Sequence, residues 1–531
     1  MSNKKFYIST PIYYPSGNLH IGHVYTTFMC DAIARYKRAC GYDVYYLTGT
    51  DEHGQKIQDK AKENNVTPQE YVDNIVASIK QLWKELEITN TDYIRTTDLK
   101  HEQVVQKVFS KFLEQGDIYL GQYEGWYCKP CESFFTQSQL VDGKCPDCGR
   151  EVTKEKEDAY FFKMSKYSGR LLDYYKSHAN AVTPSSRLKE VITNFIEPGL
   201  EDLCVSRTSF DWGVKVKEDP HHVVYVWLDA LFNYVSALGY NTENPELFEK
   251  YWNEETEKVH VLGKEITRFH LIYWPVFLMA LNLPLPDKFL VHGWIIMKEG
   301  KMSKSKGNVV YPEPIKEMYG MDLLRYYLLR EIPFCEDGVF TPEQFIERCN
   351  TDLANNYGNL AHRSLSMIRK YFGGRIPAYK GCINEFDAGL EAAVKLSTNM
   401  FFEKMNNFDV TNAIACIFEA IDKANKYVDD TKPWALAKDE AKKEELESVM
   451  CHLANTIYTV SVLLSPFLLE GTTKILNMLN CPEHLRNYEA ISLPFGQLGD
   501  VQIADAITPA YARLDAAVEV ERMKENIYTR K

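Results

Sequence analysis

The sequence predicts an α/β protein: a doubly wound parallel sheet, split by a cysteine-bearing insertion and followed by an α-helical bundle. Three observations carry this. Short β-branched and aromatic runs alternate with helical patterns over the first 115 residues and return after residue 222, the texture of a parallel sheet with crossover helices. Between them the chain turns aromatic and glycine-rich around two Cys-x-x-Cys pairs. From about Glu343 only helical periodicity remains, which reads as a bundle. The expected divisions are 1–116, the first half of the sheet domain; 117–221, the insertion; 222–292, its second half; 293–342, a basic loop and its surroundings; and 343–531, the helical domain with a C-terminal tail helix.

Phe6–Ser9 predicts a buried first strand. Pro11, Pro15 and Gly17 make a turn, and Val24, Phe28, Ile33 and Tyr36 then recur at helical spacing behind His20-Ile-Gly-His23. A strand, a turn and a helix N-terminus form an anion site, because unpaired N–H groups and the helix dipole favour phosphate. His20 and His23 can face one point from that end. Gly22 lets a flat group approach the backbone. Asp43–Leu47 predicts the second strand, ending in Thr48-Gly-Thr-Asp-Glu-His-Gly54 where open sheets place ligands. Asp51 there suits a substrate ammonium or, equally, the cap of a helix beginning near Gln55. Helices follow at Pro68–Leu86 and His101–Gln115, with a strand over Asp92–Thr97 between them.

Cys128, Cys131, Cys145 and Cys148 form two pairs thirteen residues apart, the spacing of a tetrahedral zinc knuckle with four protein ligands and hence a structural role. The other nine cysteines are scattered core residues. Segment 155–210 is mixed, with a helix over Tyr167–His178. Sheet texture returns at His222–Ala230 and Val259–Glu265. Gly263 and Glu265 suit a nucleotide sugar, the alternative for Glu265 being a first-turn acid. Ile266–Leu281 predicts an amphipathic helix whose aromatic stripe belongs mostly to the core. Phe289–Ile296 is a last strand leading to Gly300-Lys-Met-Ser-Lys-Ser-Lys-Gly307, a glycine-bracketed basic loop. Beyond it, Leu353, Tyr357, Leu360 and Ile368 share an apolar face, and helices are expected at Leu390–Phe402, Val410–Val428, Trp434–Ala441 and Glu445–Leu464. Pro433 suits a helix start. Asn359 and Arg363 share the opposite face of their helix, and Pro509–Tyr528 predicts a tail helix with Leu514 and Val518 inward.

A formal net charge of −12 excludes a generally basic nucleic-acid binder, so any RNA contact is local. No apolar run approaches the ~20 residues of a membrane helix, and no apolar signal region opens the chain. Thirteen cysteines without such a signal point to reduced thiols and the cytoplasm.

His20-Ile-Gly-His23 and Lys301-Met-Ser-Lys-Ser305, in this order, resemble the two signatures of class I aminoacyl-tRNA synthetases. Pro11–Tyr14, Gly49–His53, Tyr225–Ala230, Arg268-Phe-His270, Tyr273-Trp-Pro275 and Pro433-Trp434 resemble the bacterial methionyl-tRNA synthetases over essentially the whole chain. The resemblance implies a Rossmann-type catalytic domain and a helical anticodon-binding domain. It implies that ATP and L-methionine form methionyl-adenylate, and that methionine passes to initiator and elongator tRNA(Met). It places ATP at His20, Gly22, His23, Gly263, Glu265, Lys301 and Lys304, of which His20, His23, Lys301 and Lys304 are catalytic. Methionine is placed at Ile12, Tyr14, Asp51, Trp227, Leu231, Tyr234, Ile266, Phe269 and His270, where Tyr14 or His270 would bond the sulfur. Asn359, Arg363 and Trp434 would read the anticodon. One structural Zn²⁺ and Mg²⁺ with ATP are the expected cofactors. Without the additional C-terminal domain that dimerises many relatives, the expected state is a monomer. Cysteinyl, leucyl and valyl enzymes share both signatures. The insertion 117–221 is small for the editing domain of the branched-chain enzymes, since a separate domain typically takes ~100 residues or more, and no pocket residue is a cysteine. A non-catalytic RNA-binding relative would not need the four catalytic residues. A small-molecule adenylate-forming enzyme would not need the bundle with Trp434.

Overall fold

The computed structural model describes residues 4–131, 133–135, 137–302 and 307–528. The chain forms two compact units, Met1–Leu19 with Tyr42–Gly293, and His20–Gly41 with Trp294–Lys531.

The first unit is built on six strands: β1 (Lys5–Ser9), β2 (Asp43–Thr50), β3 (Asp92–Arg95), β4 (Val182–Thr183), β5 (Glu257–Gly263) and β6 (Lys288–His292). Their order is β3-β2-β1-β5-β6-β4 and every pairing is parallel. The near-continuous apolar runs Val44–Leu47 and Val259–Leu262 are buried, as strands covered on both faces require. β2 runs three residues beyond the predicted Leu47 because Thr48, Gly49 and Thr50 pair with Tyr93, Ile94 and Arg95. From β1 the sheet grows one way through β2 and β3, and from β5 the other way through β6. The carboxyl ends of β1 and β5 therefore flank the point where winding reverses, the usual ligand crevice of such sheets. The insertion is an antiparallel sheet in which Ile118–Cys128 pairs along its length with Thr153–Phe162.

Two predictions in this unit are corrected. The run His222–Ala230 reads as strand but keeps only Val223–Val224 extended; Val226–Leu231 is helical, its turn closed on the Tyr225 carbonyl by the N–H groups of Leu228 and Asp229. The expected helix Ile266–Leu281 is a wide π-turn, Phe269–Tyr273, followed by α-helix Trp274–Leu281. Such turns frequently occur at functional sites.

In the second unit, helix Ile21–Ala39 is anchored by a buried pair, Arg325 Nη2 to Asp31 Oδ2 at 2.7 Å, with the Arg325 guanidinium over the Phe28 ring. The helices Asp387–Asn406, Val410–Thr431 and Lys443–Leu464 form the bundle core, and Leu353, Tyr357, Leu360 and Ile368 are buried as their spacing predicts. The helix expected over Trp434–Ala441 is a single turn, Pro433–Leu436, and a separate 3₁₀ turn, Glu440–Lys442, which the Asp439 side chain caps. The tail helix starts later than predicted, at Ala516. Asn350 pins Leu514 through both backbone groups, and Asp515 caps the helix. That register buries Met523 and Ile527 and leaves Val518 exposed. Among the described residues no helix is long and apolar enough to cross a membrane.

Candidate active site

In the first unit the loop after β1 is stitched to the end of β2. The Tyr13 N–H donates to the Gly49 carbonyl, and the Asp51 N–H donates to Tyr13. Asp51 is thereby held beside the Ile12–Tyr14 segment, and it is not a helix cap: the helix at Gln55 is preceded by Gly54 without a side-chain cap. Lys56 lies over the Tyr14 ring. Leu231 and Tyr234 sit in one buried apolar cluster, with Ile12, Trp227 and Ile266 packed against it. Trp227 stacks face to face on Phe269, centroids 3.6 Å apart. The nine residues expected around an amino-acid side chain thus come from four segments, 12–14, 51, 227–234 and 266–270, with aromatic walls suited to a polarizable sulfur.

His270 is fixed by its hydrogen bonds. Nδ1 lies 3.0 Å from the Ile266 carbonyl and must donate, so Nε2 accepts from the Tyr234 hydroxyl at 2.7 Å. Burial lowers its pKa to about 4, so the ring is neutral at physiological pH. A neutral ring used at both nitrogens has no proton left for a thioether while these contacts are kept, and in this arrangement it orients Tyr234.

Sequence reasoning gave no role to the residues that hold Asp51 in place. Glu52 is buried and takes a bidentate pair from Arg95, both contacts 2.8 Å, with hydroxyl donors Thr50 and Thr97 completing its shell. Asp229, buried in the helix that carries Trp227, accepts from His53 and His101, each at 2.7 Å. Burial alone would push His53 down, but the Asp229 charge and hydrogen bond, with Glu102 beyond, raise it to about 10. Burial would likewise raise Asp229; its two imidazole partners hold it down at about 2. Both residues belong to stretches that the resemblance quotes, so the signal was present without a mechanism attached. Near the end of β5, a Cβ at Gly263 would stand 2.5 Å from the Glu265 carboxylate. Gly263 is therefore required for Glu265 to fold back on the turn.

In the second unit His20 caps helix Ile21–Ala39. Its Nδ1 accepts from the Gly22 N–H, and His23 Nδ1 accepts from the His20 N–H, both at 3.1 Å. This is a capping box made of two histidines. In the neutral rings the proton must then sit on each Nε2, making both donors, and the rings lie 4.0 Å apart. A Cβ at Gly22 would stand 2.8 Å from His20 Cε1 and 3.9 Å from the Met302 methyl. The glycine thus makes room for the His20 ring, and the second signature reaches the first at Met302. The Lys301 ammonium lies 3.3 Å from the centroid of the Trp294 ring. Lys304 lies outside the described residues.

On the bundle, Arg363 packs its guanidinium over Trp434, 5.1 Å from the centroid, and its Nη2 lies 3.5 Å from Asp429. Asn359 is exposed one turn earlier, and Trp434 is 40% exposed, so an aromatic platform and two polar groups face solvent. In the insertion, the sulfurs of Cys128, Cys131, Cys145 and Cys148 all lie within 4.8 Å. Cys128–Cys148 is 3.5 Å and Cys131–Cys145 is 3.8 Å, against about 3.8 Å between sulfurs around tetrahedral zinc with 2.3 Å bonds. The set could hold zinc.

Comparison with known proteins decides the family. The profile described as "tRNA synthetases class I (M)" matches residues 6–158 and 148–365. The methionine–tRNA ligase of Bacillus subtilis is 55% identical over 98% of this chain and 80% of its own length; that of Enterococcus faecalis is 53% identical over 99% and 80%. The chain belongs to the class I methionyl-tRNA synthetases. The Mycobacterium tuberculosis methionyl-tRNA synthetase solved with methionyl-adenylate superposes with a TM-score of 0.91 at 38% identity, covering 96% of this chain and all of that one. Membership in the methionyl-tRNA synthetase family accounts for the parallel sheet, for the helical bundle and for the histidine-capped helix.

Proposed function

We propose that this chain activates L-methionine with ATP and transfers it to tRNA(Met). The observation that carries the catalytic reading is the histidine capping box, which fixes two Nε2–H donors at one helix N-terminus. Asp51 holds the methionine ammonium, and Trp227, Phe269, Leu231, Ile12 and Ile266 enclose the side chain, with Tyr14 and the Tyr234–His270 pair as its polar border. The methionine carboxylate oxygen attacks the α-phosphorus of ATP, and the bond to the pyrophosphate oxygen breaks. Such chemistry depends on positioning and charge neutralisation more than on a general base. His20 and His23 donate to the phosphates as charge develops, with the helix dipole adding to them. Lys301, released from Trp294, and Lys304 hold the leaving pyrophosphate. Mg²⁺ bound with ATP would supply further charge neutralisation on the phosphates. Gly263 and Glu265 receive the nucleoside. The 2′-hydroxyl of the terminal adenosine then attacks the acyl carbonyl, giving methionyl-tRNA and AMP.

Trp434 stacks an anticodon base splayed from its loop, while Asn359 and Arg363 read its edges. The four knuckle cysteines hold one structural Zn²⁺, and the thirteen cysteines are read as reduced thiols of a cytoplasmic protein. Methionylation of tRNA transcripts tests the reading: tRNA(Met) should be charged and its anticodon-substituted form should not, and equal charging of both would remove the anticodon role. Sedimentation of the purified chain tests the expected monomer.

A further inference from the structure

A second group of metal-ligating side chains lies on the helical bundle. Cys382 stands in the loop before helix Asp387–Asn406, Glu391 on that helix, and His452 on helix Lys443–Leu464. Their Sγ, carboxylate and imidazole atoms lie within 4.8 Å of one another. Glu391 Oε1 is 2.9 Å from His452 Nε2 and 3.6 Å from Cys382 Sγ.

The protons argue that a cation belongs here. His452 is fully buried, and its Nδ1 lies 2.8 Å from the Ser448 carbonyl, which can only accept. The Ser448 hydroxyl gives its proton to Asp387 at 2.6 Å, so Nδ1 receives none from it and must carry its own. In a neutral ring Nε2 then turns a lone pair towards the Glu391 carboxylate. Two acceptors at that distance need a proton or a cation between them: a second ring proton, a carboxyl proton or a metal ion. Three further features favour the metal. The third group is a thiol, and sulfur, imidazole and carboxylate together are a zinc-type donor set. A tetrahedral ion with ordinary zinc bond lengths would separate S from O by about 3.6 Å, as observed, and N from O by about 3.4 Å, so His452 Nε2 and Glu391 would part by about 0.5 Å to admit it. The outer shell is also in place: Nδ1–H donates to a backbone carbonyl and Tyr379 donates to Glu391 at 2.6 Å, the contacts that orient metal ligands.

We propose that Cys382, Glu391 and His452 bind a divalent ion of the zinc type, with water in the fourth position, tying the loop before Asp387 to two helices of the bundle. The site is separate from the knuckle and has no part in adenylate chemistry. Metal-free full-length protein dialysed against Zn²⁺ alone should take up two ions per chain, and Cys382→Ala and Glu391→Gln should each take up one. Cys382 is exposed, so its alanine variant is expected to fold, and circular dichroism checks both variants. One ion per chain in all three proteins would assign the contact to a protonated imidazole or carboxyl and overturn the proposal. Two ions in all three would overturn it equally, by showing an ion held elsewhere.

Discussion

At the scale of single residues, the protonation pattern fixed by hydrogen bonds constrains the chemistry more than residue identity does. Tyr234 must donate to His270 because His270 Nδ1 is already the donor to Ile266. Tyr234→Phe therefore leaves a buried acceptor unsatisfied, at a cost of about 1–3 kcal/mol. Its KM for methionine should rise roughly 5- to 150-fold, measured by pyrophosphate exchange, while KM for ATP stays nearly constant. Equal rises in both would place Tyr234 in the general core. Lys301→Ala should lower the exchange rate by on the order of a hundredfold with little change in KM for methionine. His20, His23 and the four knuckle cysteines stood out in the sequence by their spacing, whereas Asp51 read equally as a helix cap until its hydrogen bond to Tyr13 and the uncapped helix at Gln55 set that reading aside. The partners of Asp229 did not stand out: His53 and His101 reach it from distant segments, and no local pattern encodes a carboxylate shared by two imidazoles.

At the scale of elements, Asp229 ties the segment bearing Asp51 to the helix bearing Trp227. Asp229→Asn breaks a buried charged network and should cost about 3–5 kcal/mol. The pH dependence has a definite sign. His53 is raised from 6.5 to about 10, so its contribution is complete below about 6.5 and is lost as pH rises through about 10. Asp229 is lowered from 3.8 to about 2, so its contribution is complete above about 3.8 and is lost as pH falls through about 2. The gap in denaturation free energy between the protein and Asp229→Asn should be widest between these limits, near pH 4 to 6.5, and should shrink towards pH 10. A gap independent of pH would mean that packing, not charge, sets the cost. The strands and long helices were readable from period alone. The run from His222 to Ala230 was not, because an aromatic, β-branched sequence became helical once its aspartate was buried against the two histidines. The tail helix shows the same limit: Asn350 and the Asp515 cap set a register that buries Met523 and leaves Val518 in solvent.

At the scale of the whole molecule, the residues proposed for the amino-acid pocket belong to the first compact unit and Trp434 to the second, and this division should appear in the kinetics. Trp434→Ala removes a stacking surface worth about 1–3 kcal/mol. It should weaken tRNA charging accordingly and leave methionine-dependent pyrophosphate exchange near its original rate; parallel loss of both would contradict separate sites. The most direct test of the central claim is amino-acid-dependent ATP–pyrophosphate exchange across all twenty amino acids, without tRNA. Exchange with methionine and no other amino acid is the predicted result. Exchange driven by a different amino acid would contradict the pocket built around Asp51, Trp227 and the Tyr234–His270 pair.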